Sequence, residues 1–556
     1  MRRDAVPAAW AGIPLVDYGN LVIMPGLIDP HVHLNVPGTD TEGVGSGTAA
    51  AAVGGTTTLL DMPLNSIPAT LCAASLNAKV AAIAADPPAV DVGLIGGAVG
   101  SGGGGGSGHQ SPADVAALVD AGVWAIKSFL VDSQSPNFPH VTPAEMRAVM
   151  DGLAGMGNRS VPYILHAELP PSPPSSSPDP TAARPNSNYP GDGTSLVDWA
   201  ASRPSAWEVD AVRSVVAAAA AAGIPAVHIA HVASAEAARE VAAVATAWAA
   251  SNAAAAAAVG GSDGDGGSTS ASSPSSAARR PRLTAETCPH YLLWAAAEVD
   301  AATAAAPSAA AADGGTASRP LWKCAPPIRD AANRAALWRL LKRADSGGIS
   351  MVASDHSPAA DDARRLATGD VRGAWGGIAG LQYRLAATWG AATAIAGGDS
   401  GGITSPAAAS DDDDNDDELL PALSHWLSGA AADAFGLSPA KGRIVPGGHA
   451  DLVVWDPSAV GAAGVVAAPE SCRHRHRASP YHHDRRLRGR VVATWVGGHL
   501  VYRSLALPSS TATGVAAAAA AEADSWVPLV ATGAGRLLRR RPDGGVQRVD
   551  VLAAQE

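Results

Sequence analysis

Short runs of apolar and β-branched residues alternate with alanine-rich stretches along most of the chain. The runs predict buried strands at Thr56–Leu60, Val92–Ile95, Trp124–Leu130, Tyr163–His166, Ala226–His231 and Met351–Ser354. The stretches between them, such as 111–121 and 206–222, have the length and composition of helices. Alternation of this kind over about 400 residues favours a parallel α/β architecture, most simply a (β/α)8 TIM-type barrel.

In such barrels the chemistry takes place at the C-terminal ends of the strands. His31 and His33 follow the apolar pair Leu27 and Ile28 in the segment IMPGLIDPHVHLNVP. Residues i and i+2 of a strand point to the same face, so both imidazoles should leave this first strand on one side. Two converging imidazoles suit a divalent transition metal, zinc first. Taken alone, such a pair is also typical of surface or packed histidines.

Four more polar residues fall in or after apolar runs. Lys127 lies inside the run 123–131, where an unpaired ammonium would be costly, although a lysine can also reach out to water. His166 and His231 each end a run, with His228 as a competing candidate near the second. Asp355 ends another, where an aspartate can simply open a turn. Each residue has an ordinary explanation, but the set at successive strand ends indicates one site.

This ordered set resembles the binuclear metal site of the amidohydrolase superfamily, in its cyclic amidohydrolase branch. The resemblance implies two divalent metal ions, zinc first with manganese or cobalt as alternatives, held by His31, His33, Lys127, His166, His231 and Asp355. It implies that Lys127 is carboxylated on its amine and bridges the metals, and that His166 and His231 bind the second one. It also makes Asp355 the catalytic residue, which takes the proton of a metal-bridging hydroxide and passes it to the leaving nitrogen.

Several stretches look like the allantoinase family within this branch. They are GGTTTLLDMPLNSIPAT (54–70), ETCPHYL (286–292), KCAPPIRD (323–330), SDHSP (354–358) and AWGGIAGLQ (374–382). The resemblance implies a small-molecule substrate, allantoin, whose hydantoin ring is opened to allantoate in purine catabolism. It also implies that Asn35, Cys288 and Pro327 line the substrate pocket, although Cys288 could equally be an inert buried thiol.

Two positions separate the chain from neighbouring families. Dihydroorotases carry an arginine where this chain has Asn35, and hydantoinases and dihydropyrimidinases carry a tyrosine where it has Asp132. Hydantoinase or dihydropyrimidinase activity stays the alternative among enzymes. A non-catalytic amidohydrolase-like scaffold is the alternative from another class, although such scaffolds typically lose metal ligands that are present here.

The chain also departs from the family pattern. Val36–Thr39 replaces the usual Glu-Pro-Gly-Arg, and Ala430 stands where an asparagine is common. The family begins with strands of a small β-sandwich, whereas only 24 residues precede Pro25 here, so we expect a truncated gene. The expected domains are a sandwich remnant (1–24), the barrel (25–440), the C-terminal part of the sandwich (441–507), with strands in 441–457 and 491–502, and an uninterpreted tail (508–556).

Low-complexity segments interrupt the expected barrel. They cover residues 100–108, 170–190, 250–280, 301–318 and 398–418 and consist mostly of Ala, Gly, Ser, Pro or Asp. Such compositions bury too little apolar surface to offset the entropy of ordering. They therefore predict solvated insertions.

Composition and charge limit the partners and the cellular compartment that can be expected. A net charge of −12 and a pI of about 5.7 give no nucleic-acid footprint, and no strongly apolar run indicates a membrane partner. The four cysteines form no CxxC pair, which fits a reducing compartment. A soluble cytoplasmic enzyme is expected, although a missing N-terminus would hold any targeting signal. The family resemblance also implies a homo-oligomer, a dimer or a tetramer.

Overall fold

The computed structural model describes residues 16–101, 110–171, 189–260, 280–304, 318–343, 348–396, 416–460, 471–504, 529–530 and 533–550. Its strands are β1 Val22–Pro25, β2 Leu27–Val32, β3 Thr56–Asp61, β4 Asp91–Leu94, β5 Gly96–Gly97, β6 Ile126–Phe129, β7 Tyr163–His166, β8 Ala226–Ile229, β9 Arg282–Thr287, β10 Ile349–Val352, β11 Leu452–Val460, β12 Arg488–Val496, β13 His499–Arg503, β14 Leu529–Val530, β15 Leu537–Arg540 and β16 Val546–Val549. Its helices are α1 Val44–Val53, α2 Ala73–Ala85, α3 Pro112–Asp120, α4 Pro143–Gly155, α5 Leu196–Ser202, α6 Ser205–Ala222, α7 Ala235–Gly260, α8 Pro289–Leu293, α9 Ala296–Ala304, α10 Ala331–Lys342, α11 Arg384–Ala396, α12 Asp416–Ser424 and α13 Ala430–Phe435.

Two largely parallel sheets carry the alternating elements. One has the order β10-β9-β8-β7-β6-β5 and the other β16-β15-β4-β3-β2, in which β2, β3, β4 and β15 are parallel. Only Ile95 separates β4 from β5, and Val32 at the end of β2 forms a parallel bridge with His356, just beyond β10. The predicted α/β class is therefore confirmed. Every residue of β2 and β3 is buried, as expected for parallel strands covered on both faces.

Local sequence signals set the ends of several helices. Before α3, Ser111 accepts a hydrogen bond from the backbone N–H of Asp114, and before α4, Thr142 accepts one from Glu145. Helix α6 ends at Gly223, which has a left-handed φ of 67°. These signals place α3 and α6 where the alanine-rich stretches predicted them. Among the described residues, no helix combines the length and apolar character needed to cross a bilayer.

A third, antiparallel sheet has the order β1-β11-β12-β13-β14. Strand β1 pairs with β11 although more than 400 residues separate them, and Val22 lies opposite Trp455. The sheet packs on α11, where the rings of Trp389 and Trp455 meet edge to face. Strands were predicted in 441–457 and 491–502, but the first begins only at Leu452. Residues 1–15, most of the predicted sandwich remnant, lie outside the described residues.

Three predicted insertions are shorter than expected. Helix α7 continues to Gly260, α9 continues to Ala304, and α12 begins at Asp416, so the boundaries placed at 250, 301 and 418 were wrong. Alanine favours helix strongly, and an alanine-rich segment that follows a formed helix extends it. Most of the other residues assigned to insertions lie outside the described residues.

The tail, left without an assignment from sequence, contributes to the second parallel sheet. Strand β15 pairs with β4, and β16 returns antiparallel to β15. The carboxylate of Asp91 on β4 is fully buried and lies 2.8 Å from Lys441 Nζ and 2.9 Å from Arg548 Nε. Burial by itself would raise the pKa of Asp91, but the two cations lower it overall. The tail is thereby held by an ion pair as well as by strand pairing.

We expect Asp91→Asn to lower the free energy of unfolding by about 3–5 kcal/mol, because Arg548 then loses its carboxylate partner and Lys441 keeps only that of Asp451. The pKa of Asp91 is lowered on folding, so its contribution is complete above the ordinary aspartate pKa and is lost as pH falls through the lowered value. Denaturant unfolding across pH checks this. Asp151→Asn, which breaks an exposed pair with Arg147, is the control and should change stability little. Equal stability of Asp91→Asn and wild type at neutral pH would contradict the assignment.

Candidate active site

An open cavity lies where the parallel strands end, with about 710 Å³ of empty space that includes the solvent at its mouth. Its wall includes His31, His33, His166, His231 and Asp355, all of them predicted site residues. His166 is the last residue of β7, and His231 and Asp355 follow β8 and β10 closely. The position of His31 differs from the expectation, since it lies within β2 rather than after it, and only His33 follows the strand.

The polar residues of this wall form one cluster. His31 Nε2 lies 3.3 Å and His33 Nε2 3.6 Å from Asp355 Oδ1. The ring centroids of His31 and His231 are 5.2 Å apart, and those of His166 and His231 are 4.5 Å apart. Burial lowers the pKa of His166 and lowers that of His231 far below its ordinary value, so both imidazoles are neutral at pH 7. Neutral imidazole is the form of histidine that binds metals.

Lys127 lies inside β6, not at its end, and is fully buried. Its Nζ has no hydrogen-bond partner among the described residues and lies 5.1 Å from the ring centroid of Phe129. Burial lowers the pKa of Lys127 to about 8, with Glu286 and Asp355 acting in the opposite direction. The alternative in which this lysine reaches out to water is wrong. A buried amine that lacks a hydrogen-bond partner costs free energy unless another group compensates it.

Glu286, near the C-terminal end of β9, is a site residue that the sequence analysis did not identify. Its Oε1 lies 2.5 Å from His31 Nδ1 and also accepts the backbone N–H of His231, while its Oε2 lies 3.2 Å from His228 Nε2. Burial would raise the pKa of Glu286, but its histidine partners, His31 first, lower it far below its ordinary value. The carboxylate therefore fixes the ring of His31 with Nε2 facing the cavity. The strand β9 itself had not been predicted.

Glu168 and Arg203 are a second pair missed from sequence. Glu168 Oε2 lies 2.7 Å from His166 Nε2, and Arg203 binds both oxygens of the same carboxylate, with Nε 2.9 Å from Oε1. Glu168 follows His166 by two residues, a spacing that puts both side chains on one face of an extended chain. That spacing was the sequence signal that could have indicated Glu168 as a site residue. Arg203 also lines the cavity, but no sequence signal indicated it.

The residues predicted to bind substrate are placed differently. Asn35, Cys288 and Pro327 are all buried, and none of them lines the cavity. Burial raises the pKa of Cys288 far above its ordinary value, which agrees with the alternative of an inert thiol. Asp132, at the position where hydantoinases carry a tyrosine, does line the cavity. Substrate binding by Asn35, Cys288 and Pro327 stays a prediction.

Comparison with known proteins agrees with this fold. The profile of the amidohydrolase family matches residues 22–168. The fold is similar to that of an L-hydantoinase (dihydropyrimidinase) from Arthrobacter aurescens, with a TM-score of 0.66 and 21% identity over 95% of this chain and 89% of that one. Fold, site and profile define an amidohydrolase.

Two curated sequences narrow the assignment. The chain is 33% identical to a probable allantoinase of Oryza sativa subsp. japonica over 492 residues, which cover 88% of this chain and 80% of the relative. It is also 33% identical to an allantoinase of Arabidopsis thaliana, over 88% of this chain and 79% of that one. The chain belongs to the allantoinase family of amidohydrolases.

Proposed function

We propose that the chain hydrolyses the cyclic amide of allantoin, opening the hydantoin ring to give allantoate. The observation that carries this proposal is the convergence of His31, His33, His166, His231 and Asp355 at one cavity. The buried amine of Lys127 lies beside it, next to Phe129 of the cavity wall. Matches to allantoinases over most of the chain give the substrate. Purine catabolism follows as its metabolic setting.

The donor set fits two divalent metal ions. Imidazole nitrogens and carboxylate oxygens suit zinc first, with manganese or cobalt as alternatives. His31 and His33 would hold one ion and His166 and His231 the other. Addition of CO₂ to the neutral amine of Lys127, with loss of one proton, would give a carbamate that both ions share and would remove the unpartnered amine. When bound, the ions polarise the substrate carbonyl and lower the pKa of water.

The role of Asp355 is to move a proton. Burial would raise the pKa of its carboxyl group, but His31 and His33 lower it overall, so the group is ionised at neutral pH. Its Oδ1 faces the two imidazoles, which leaves Oδ2 to accept the proton of the attacking water. The same oxygen then protonates the ring nitrogen, and the amide C–N bond breaks.

We also infer that strands β2 to β10, with β4 and β5 counted as one strand, form a (β/α)8 barrel over residues 25–440. The single residue between β4 and β5 and the bridge from Val32 to His356 support this, because they join the sheets at both ends. The antiparallel sheet of β1 and residues 441–507 would correspond to part of the family's small sandwich domain. Homo-oligomerisation and a cytoplasmic location stay predictions from the sequence.

We expect Glu286→Gln to weaken metal binding by about 10- to 100-fold, because the amide cannot hold His31 as a carboxylate does. Titration of the metal-free protein with zinc against a competing chelator measures this. Glu298→Gln, which alters a partly exposed pair with Arg334, is the matched control and should bind zinc like the wild type. Wild-type affinity in Glu286→Gln would show that the carboxylate does not orient a ligand.

Competition among substrates tests the proposed activity. The purified chain is expected to convert allantoin with a higher kcat/KM than dihydrouracil or unsubstituted hydantoin. A preference for dihydrouracil or unsubstituted hydantoin would favour the dihydropyrimidinase or hydantoinase alternative. A folded chain that binds no metal and converts none of the three would favour the scaffold alternative.

A further inference from the structure

Two residues of the cavity wall carry a buried N–H group that has no acceptor among the described residues. They are Nη1 of Arg203 and Nε1 of Trp375, and both residues line the cavity. A guanidinium and an indole nitrogen can only donate hydrogen bonds. A buried donor without an acceptor costs free energy, and at the cavity an acceptor atom of a bound ligand can remove that cost.

The contacts of Arg203 hold its guanidinium in place and neutralise its positive charge. Its Nε and Nη2 hold the carboxylate of Glu168, and its guanidinium lies 5.4 Å and 5.8 Å from the ring centroids of Trp199 and Trp207. Nε and Nη2 are therefore engaged by Glu168, and Nη1 is the one guanidinium nitrogen that remains. Because Glu168 neutralises the guanidinium, the pair as a whole presents hydrogen-bond donors without a net positive charge.

An uncharged acceptor suits these two donors, because Glu168 already neutralises Arg203. Carbonyl oxygens of a neutral substrate provide such acceptors. In the proposed reaction the ring carbonyl that is attacked faces the histidines and Asp355. A carbonyl carried on a substituent of the ring can then face Arg203 and Trp375.

We propose that Arg203 and Trp375 are substrate-binding residues that donate hydrogen bonds to the carbonyl oxygen of the ureido substituent. This inference rests on the proposed function and deepens it. The site then selects five-membered rings with a ureido substituent over unsubstituted hydantoin. Asn35, Cys288 and Pro327 contribute nothing to this contact, since none of them lines the cavity.

Trp375→Phe is the sharpest test, because it keeps an aromatic ring and removes the N–H. The KM for allantoin is expected to rise about 3- to 10-fold, the loss typical of one neutral hydrogen bond. The inhibition constant of unsubstituted hydantoin should stay at its wild-type value. Trp322→Phe is the matched control. Trp322 Nε1 is also buried without an acceptor in the described part of the chain, but Trp322 does not line the cavity, so the KM should not change.

Arg203→Lys tests the other donor, and a rise of about 10- to 100-fold in the KM for allantoin is expected, as for a charged hydrogen bond. Glu168→Gln separates binding from positioning, because it disturbs His166 without removing Nη1 of Arg203. It should lower kcat and zinc affinity while leaving the preference for allantoin over hydantoin intact.

Three outcomes decide the inference. A wild-type chain that turns over allantoin, with an unchanged KM in Trp375→Phe and Arg203→Lys, would overturn it and leave the proposed function standing. The same holds if Arg203→Lys loses kcat and zinc together without a change in KM, because Arg203 would then act only through Glu168 and His166. A folded wild-type chain with no allantoin turnover would instead overturn the proposed function itself.

Discussion

Replacing Lys127 with alanine is expected to reduce allantoin hydrolysis by about 10³-fold or more, because metal ions supply several kcal/mol of transition-state stabilisation and each 1.36 kcal/mol is tenfold in rate. The physical reason lies in the burial of the amine. Nζ is fully buried without a hydrogen-bond partner among the described residues, and a carbamate formed on it would supply a ligand for the metal ions. Metal content by mass spectrometry should fall together with the rate.

Two companion experiments make this prediction specific. Lys127→Arg keeps a cation at the position but cannot form a carbamate, so it should be as inactive as Lys127→Ala. Acetate or propionate can enter the space left in Lys127→Ala and supply a carboxylate, and partial recovery of rate and metal content is expected. Full activity and metal content in either variant would exclude Lys127 as a shared ligand.

Asp355→Asn is expected to lower kcat by about 10²- to 10⁴-fold, the range for loss of a general acid–base group. An amide cannot accept the proton of the attacking water or return it to the ring nitrogen. Much of the metal should stay bound, because the four histidines and Lys127 are unchanged. Steady-state rates and metal analysis of the same sample measure both effects.

Asp362→Asn is the control for Asp355→Asn, since Asp362 is exposed in the same loop and its carboxylate accepts the neighbouring backbone N–H of Ala363. It should have wild-type rates. A kcat for Asp355→Asn within a few-fold of wild type would assign the proton transfer to another group of the cavity.

The alternation of apolar and alanine-rich segments was sufficient to predict the α/β class and the strand Tyr163–His166 with the bounds observed. It was not sufficient for β9, whose residues Arg282–Thr287 include four polar side chains and no long apolar run. The pairing of the tail with β4 could not be predicted from the sequence either. That contact joins residues more than 400 positions apart, and local periodicity carries no information about such partners.

Candidate site residues were predictable where the side chain itself was chemically unusual for its place. A lysine within a buried strand and histidines at strand ends stand out against apolar neighbours, and the structure brings them to one cavity or next to it. Glu286 and Arg203 did not stand out, because charged residues are common and only the fold shows which group each one contacts. The same limit applies to the cavity wall, which includes Trp375, a residue that the sequence did not single out.

Allantoin turnover and metal content measured in one sample of the purified chain test the central claim most directly. The proposed function predicts formation of allantoate with about two metal ions per chain, and loss of activity on chelation that added zinc restores. Allantoin hydrolysis that persists in fully metal-free protein would contradict the proposed metal-assisted reaction. A chain loaded with two metal ions that leaves allantoin intact would contradict the proposed substrate.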